Sequence, residues 1–219
     1  YRINKDTGAT IQAGAMAGKS NFSINPPTYA GGMIFVALAD GVVQAFDADS
    51  LESLWIYHDP LKGQPNCPIT VSNGYAYTGF WNSETRDASF VCLPIADERP
   101  TASNEEKYAA WRHVQTGGFY WAGACVQNGV LLVGTDDGQD STSPVLSTGR
   151  VLLFDAATGA LLDEVGGICG DVRSTICYDS GSKAYYATSK GGEFIRIKLN
   201  ATGRKIDSKQ TLKLQNGTT

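Results

Sequence analysis

The sequence is poor in the features that mark many function classes. No apolar run approaches the ~20 residues needed to span a bilayer, and no block of Lys and Arg stands out. Its 18 Lys+Arg against 22 Asp+Glu leave a net charge of -4. That gives a nucleic-acid partner no electrostatic support. There are only two histidines, His58 and His113. GxSxG, HExxH and phosphate-binding glycine loops are all absent, so a Ser-His-Asp hydrolase or a zinc protease has little to build from. The five cysteines, Cys67, Cys92, Cys125, Cys169 and Cys177, form neither a CxxC pair nor an adjacent pair. A zinc knuckle is thereby disfavoured. Buried apolar cysteines in strands are the expected reading. An odd count leaves at least one thiol unpaired. Cys125 and Cys177 fall at matching repeat positions, which makes them the candidate disulfide. The chain opens on Tyr1 rather than Met and shows no signal peptide. A processed form or a piece of a longer protein is expected, with any targeting segment out of view.

What the sequence does have is 25 Gly, 10 Tyr and many short hydrophobic segments. This favours short strands and turns over helices. The stretch Arg150 to Val165, RVLLFDAATGALLDEV, reads as strand, tight turn, strand. Gly159 tolerates positive φ, and Asp155 and Thr158 can hydrogen-bond the turn backbone. Imperfect copies recur. YRINKDTGATI opens the chain in mid-unit. DADSLESLW carries Asp47, with Leu51 at the glycine position, and Trp55. Tyr108 to Trp111 resumes after a polar insertion from Asp97 to Lys107. NATGRKI carries Gly203 in a turn one residue shorter.

The spacing from Asn4 to Asp47 is 43 residues. Asp47 to Asp155 is 108, covering two units and two insertions, and Asp155 to Asn200 is 45. A four-stranded unit at ~40–50 residues is the signature of a β-propeller blade. Such blades stack around an axis, because one blade cannot bury both of its faces. The expectation is an all-β propeller of four-stranded antiparallel blades. Residues 1–25 form a partial blade, followed by blades at 26–66, 67–119, 120–169 and 170–215.

The Asp-Ala-x-Thr-Gly turn, followed by an apolar strand with Trp, resembles the quinoprotein (PQQ-type) propeller repeat. In that family the tryptophan docks between adjacent blades, burying ~150–250 Å². Here the motif is split among copies: Asp155, Thr158 and Gly159 keep the turn but put Asp163 at the Trp position, while Trp55 and Trp111 keep the indole. The resemblance implies the fold. It does not bring the redox activity, because no position matches the quinone and calcium ligands and no adjacent cysteines are present. No cofactor is assigned. Many relatives are non-catalytic scaffolds, as in the lipoprotein that assists outer-membrane protein assembly.

The expected function is therefore a binding or scaffold module outside the cytoplasm, secreted, periplasmic or on the cell surface, for a protein or small ligand. One rival is a fragment of a PQQ- and Ca²⁺-dependent alcohol or sugar dehydrogenase; another is a carbohydrate-binding surface domain. Such propellers usually have seven or eight blades, so the resemblance also implies missing blades or a homodimer that completes the ring.

Among local candidates, Asp136, Asp137 and Asp140 cluster in a loop and offer carboxylates to Ca²⁺, without full EF-hand spacing or its closing Glu. A solvated loop is favoured. Phe80-Trp81 and Phe119-Tyr120-Trp121 supply either interblade packing, the favoured reading, or a binding face. The two histidines are expected as surface residues at repeat ends. Three glycosylation sequons, at Asn21, Asn200 and Asn216, are of a length that arises by chance.

Overall fold

The computed structural model describes residues 1–21, 25–140 and 147–214. Strands β1 (Arg2–Ile3) and β2 (Thr10–Gln12) form the opening hairpin. Blade 1 follows, with β3 (Thr28–Ala30), β4 (Met33–Leu38), β5 (Val42–Asp47) and β6 (Ser53–His58). Strands β7 (Thr70–Ser72), β8 (Tyr75–Gly79) and β9 (Asp87–Pro94) begin blade 2. A short strand, β10 (Glu105–Lys107), interrupts it before β11 (Trp111–Thr116) closes it. Blade 3 is β12 (Cys125–Gln127), β13 (Val130–Gly134), β14 (Gly149–Asp155) and β15 (Leu161–Ile168). Blade 4 is β16 (Cys177–Asp179), β17 (Ala184–Thr188), β18 (Glu193–Leu199) and β19 (Ile206–Lys213). The chain is an all-β propeller. No helix among the described residues is long and apolar enough to cross a membrane.

Turn chemistry explains why these segments reverse where they do. Asp155 Oδ1 accepts the N–H groups of Ala157 (3.1 Å) and Thr158 (2.9 Å). Asp47 Oδ1 does the same for Asp49 (3.0 Å) and Ser50 (2.8 Å), and Asn4 for Asp6 and Thr7 (2.9 Å each). These bonds hold both aspartate carboxyls below their usual range. Each turn closes on a left-handed residue, Gly159 at φ 71° and Leu51 at φ 55°. Leu51 shows that the turn geometry survives a β-carbon, at a conformational cost of ~1–2 kcal/mol.

Burial joins the blades. One apolar cluster combines Phe35 and Trp55 of blade 1 with Ala76 and Leu93 of blade 2. A second combines Tyr77 and Trp111 of blade 2 with Leu131 and Phe154 of blade 3. A third combines Leu132 and Leu153 of blade 3 with Tyr185 and Ile197 of blade 4. Each of these three cores straddles a seam, as expected when a single sheet must bury both faces, while a smaller cluster of Leu38, Val42 and Ile56 lies within blade 1.

The two tryptophans occupy equivalent places in successive seams. Trp55 Nε1 donates to Ile95 O (3.2 Å), just after β9. Trp111 Nε1 donates to Ala156 O (3.0 Å), just after β14. Trp111 also stacks between Phe90 and Phe154, at centroid distances of 6.1 and 5.7 Å. In the third seam Asp163 instead accepts the Ile206 N–H of blade 4 (2.9 Å).

The insertion at Asp97 to Lys107 corrects the uniform four-strand picture. Its β10 pairs in parallel with β6 of the preceding blade, Glu105 opposite Trp55 and Lys107 opposite Tyr57, making blade 1 five-stranded. Lys107 is 4% exposed. Its buried ammonium is satisfied by Ala96 O (2.7 Å) and by the Trp55 ring (5.5 Å), which makes the added strand tolerable.

Candidate functional site

In an antiparallel blade the connections alternate between the two ends of the sheet. Those from strand two to three, and from strand four to the next blade, therefore share one face of the propeller. The most charged arrangement lies there. Trp81 and Glu84 come from the β8–β9 connection, and Tyr120 and Trp121 from β11–β12. Asp136 and Asp137 follow β13, Asp171 and Arg173 follow β15, and Lys190 follows β17. Close packing fixes the Asp171–Arg173 segment: Val172 N donates to Thr135 O (2.9 Å). A β-carbon at Gly134 would fall 2.3 Å from Val172 O, so only glycine admits this approach.

Arg173 is the hub. Its Nε and Nη2 donate to both oxygens of Asp136, at 3.0 and 2.7 Å. Nη2 also lies 3.0 Å from Glu84 Oε2 and 2.9 Å from Asp171 Oδ2. Lys190 Nζ reaches Asp171 Oδ2 at 3.2 Å, and the Asp137 N–H donates to Asp171 Oδ1 at 2.9 Å. Asp136 is 1% exposed. Burial pushes its carboxyl up to about 7, against the lowering effect of Arg173.

Glu84, Asp136 and Asp171 offer oxygens within 4.8 Å of one another, the spacing of a metal cluster. A calcium ion would need a position equidistant from these oxygens, and the Arg173 Nη2 already lies 2.7–3.0 Å from all three carboxylates. The residues as placed hold a guanidinium and do not fit a Ca²⁺ cage.

Beside the hub runs an aromatic wall. Trp81 packs on Tyr120 at 4.8 Å and Tyr120 on Trp121 at 4.3 Å, with Arg173 4.5 Å above the Tyr120 ring. Trp121 is 42% exposed and sits at φ 59°. A large exposed side chain on a strained backbone is the kind of feature that clusters at binding sites. With Arg173, Lys190 and Thr188 it borders a shallow cavity of 450 Å³.

The residues singled out in the sequence separate. Asp136 joins the hub, Asp137 meets Asp171 through both its N–H and its carboxyl, and Asp140 is exposed. Glu84, Asp171 and Arg173 carried no local signal: Arg173 lies 37 residues from Asp136 and 89 from Glu84. The aromatic pairs divide as well. Phe80 and Phe119 are fully buried as interblade packing, while Trp121 is on the surface. His58 is exposed, as expected. His113 is not a surface residue: it lies half-buried, edge-on to Phe154 at 4.9 Å, and burial lowers its pKa.

Cys125 and Cys177 begin the innermost strands of adjacent blades, but both are free thiols. The Tyr178 N–H donates to the Cys125 sulfur, and Cys177 Sγ faces Thr175 O at 3.9 Å. Burial and then the neighbouring Cys177 thiol raise the Cys125 pKa. The expectation of buried strand cysteines holds for Cys92 alone: Cys67 is buried but lies in the connection before β7, Cys125 and Cys169 are partly exposed, and Cys177 is exposed. The Asn200 sequon lies in a turn, its Oδ1 accepting the Thr202 hydroxyl. The sequon at Asn21 extends, and that at Asn216 falls, outside the described residues.

No protein-family model matches the sequence, nor does any curated protein. Solved structures do resemble it. The quinohemoprotein alcohol dehydrogenase from Comamonas testosteroni superposes with a TM-score of 0.61 at 14% identity, over 85% of this chain and 34% of that one. BamB from Moraxella catarrhalis gives 0.59 at 13% identity, over 98% of this chain and 58% of that one. The computationally designed Ika4 protein gives 0.53 at 10%, over 93% and 96%. The chain thus has the PQQ-like propeller fold, and it spans about a third of the dehydrogenase and under two thirds of BamB.

Proposed function

We propose that this chain is a binding module: a PQQ-like propeller outside the cytoplasm that holds a protein partner and performs no catalysis of its own. The observation that carries this reading is the Arg173 hub. Its three carboxylates are spent on one guanidinium, so the charged centre of this face acts as a brace. Next to it stands Trp121, an exposed aromatic on a fixed loop, and interface energy concentrates on tryptophan and arginine anchors of this kind. The likeness to BamB supports a protein partner, and the likeness to both BamB and the dehydrogenase supports the location.

A photo-crosslinking residue placed at Trp121 tests the reading in the native cell. A discrete protein adduct is expected from position 121 and none from the exposed Asn73, in the β7–β8 turn of the opposite face. Equal labelling from both positions would contradict it. The rival reading, a quinone-dependent dehydrogenase, is favoured by one fact: three clustered carboxylates beside an arginine on this face. Reconstitution with PQQ and Ca²⁺, followed by dye-linked oxidation of alcohols and sugars, separates the two. No quinone-dependent turnover is expected.

A further inference from the structure

Strand register fixes which residue of blade 3 stands where Trp111 stands in blade 2. Trp55 lies opposite Ala45, Trp111 opposite Cys92 and Asp163 opposite Leu153. Each partner is two residues before the end of its strand, at Asp47, Pro94 and Asp155. Asp163 is therefore the third seam's counterpart of an indole.

Three groups of blade 3 hold the Trp111 indole. The Phe154 ring lies 5.7 Å away, Ala156 O accepts from Nε1 at 3.0 Å, and Gly159 lies so close that a β-carbon there would be 2.5 Å from the ring. Aligned on the turn residues Asp155 and Asn200, their counterparts in blade 4 are Leu199, Ala201 and Gly203. All three line one interblade cavity of 560 Å³, closed on other sides by Val130 and Tyr185. A β-carbon at Gly203 would meet nothing within 4 Å.

The rim of this seam is tied by polar links instead of a ring. Asp163 accepts from Ile206 N, Arg204 pairs with Asp155 at 2.9 Å, and Lys209 Nζ donates to Gly166 O and Gly167 O at 2.8 Å each. The blades are thus held together while the interior keeps room for a flat group. Lys183 is the one charged residue among those lining the cavity, so an anion beside the ring is favoured.

We propose that this cavity is a binding site for an indole with an adjacent carboxylate, the tryptophan of a partner protein flanked by an acidic group. The partner's ring would stand where the chain's own Trp111 stands one seam earlier, with Ala201 O as the counterpart of the Ala156 acceptor. The site lies on the turn-bearing face opposite Arg173, and the proposal does not depend on the reading of that face.

The probe is N-acetyl-L-tryptophan, titrated into the full chain and followed by calorimetry and by NMR shifts at Leu199 and Tyr185. Saturable binding is expected. Asp163→Trp fills the cavity from within and should weaken it at least ~10-fold, a difference of ~1.4 kcal/mol. Should that variant not fold, Leu199→Trp enters the same space from blade 4 and should do likewise. Lys183→Gln should weaken N-acetyl-L-tryptophan but leave its uncharged amide unchanged. Absence of binding by the parent chain, equal binding by N-acetyl-L-leucine, or undiminished binding by a folded cavity-filling variant would overturn the proposal.

Discussion

Gly159 of blade 3 lies directly beneath the Trp111 indole of blade 2; a β-carbon on it would come within 2.5 Å of two ring atoms. The glycine is needed twice over, once for its φ of 71° and once for the room it leaves the ring. This contact shows how a turn of one blade and a tryptophan of the blade before it act as a pair. The turn of one blade is the seat for the outer strand of the blade before it.

Coupling between the two follows. Trp111→Ala should cost ~3–5 kcal/mol, the range for deleting a large buried aromatic. Gly159→Ala alone should cost more than the ~1–2 kcal/mol of a left-handed alanine, because the indole must also move. In the Trp111→Ala background its cost should fall but stay above that conformational ~1–2 kcal/mol, because the β-carbon kept at position 111 would lie 2.9 Å from the new one. A double-mutant cycle by urea denaturation reads the difference directly.

Gly203 offers the contrast. It has the same φ, 71°, but no ring above it. Gly203→Ala should cost only the ~1–2 kcal/mol of conformation, clearly less than Gly159→Ala. Equal costs in the same denaturation assay would show that the Trp111 contact carries no energy.

Much of this organisation was legible because it is local. Asp155, Thr158 and Gly159 build a turn from atoms within four residues of each other, so the pattern survives in any copy that keeps the chemistry. Asp163 was readable as a missing tryptophan by position alone. The rest depends on contacts the chain order does not display. Arg173 meets Glu84 across 89 residues, from connections that share a face only once the blades are stacked. Strand β10 is Glu-Glu-Lys, with no apolar alternation, and it is a strand because β6 of another blade offers an open edge. His113 looked like a repeat-end residue, and only the seam places it on Phe154.

Removal of the hub cation should be severe. Arg173→Met leaves Glu84, Asp136 and Asp171 within 4.8 Å of one another with only Lys190, on Asp171, as counter-charge. A loss of ~3–5 kcal/mol is expected at neutral pH, as for breaking a buried ion pair. Acidification should recover part of it by neutralising the carboxylates, which thermal melts across a pH series would register.

Asp136 sets a pH dependence with a defined sign. Its carboxyl is raised from 3.8 to about 7 by burial, so between those values the folded chain holds a proton that the unfolded chain has released. Its contribution to stability is full below the unfolded value and is lost as pH rises through about 7. The stability of the parent minus that of Asp136→Asn should therefore decline from pH ~4 to ~7 and level off above. A difference that rises over this window would contradict the assignment.

The most direct test of the claim that Arg173 closes this face as a brace is a calcium titration of the unaltered chain, read as melting temperature. A cation site would raise the transition progressively with ligand, by ~2.7 kcal/mol at a hundredfold excess over Kd. With Arg173 Nη2 within 3.0 Å of all three carboxylates, no rise is predicted up to ~10 mM Ca²⁺. A saturable rise that Asp136→Asn abolishes would show that the cluster binds calcium, and would turn the reading toward catalysis.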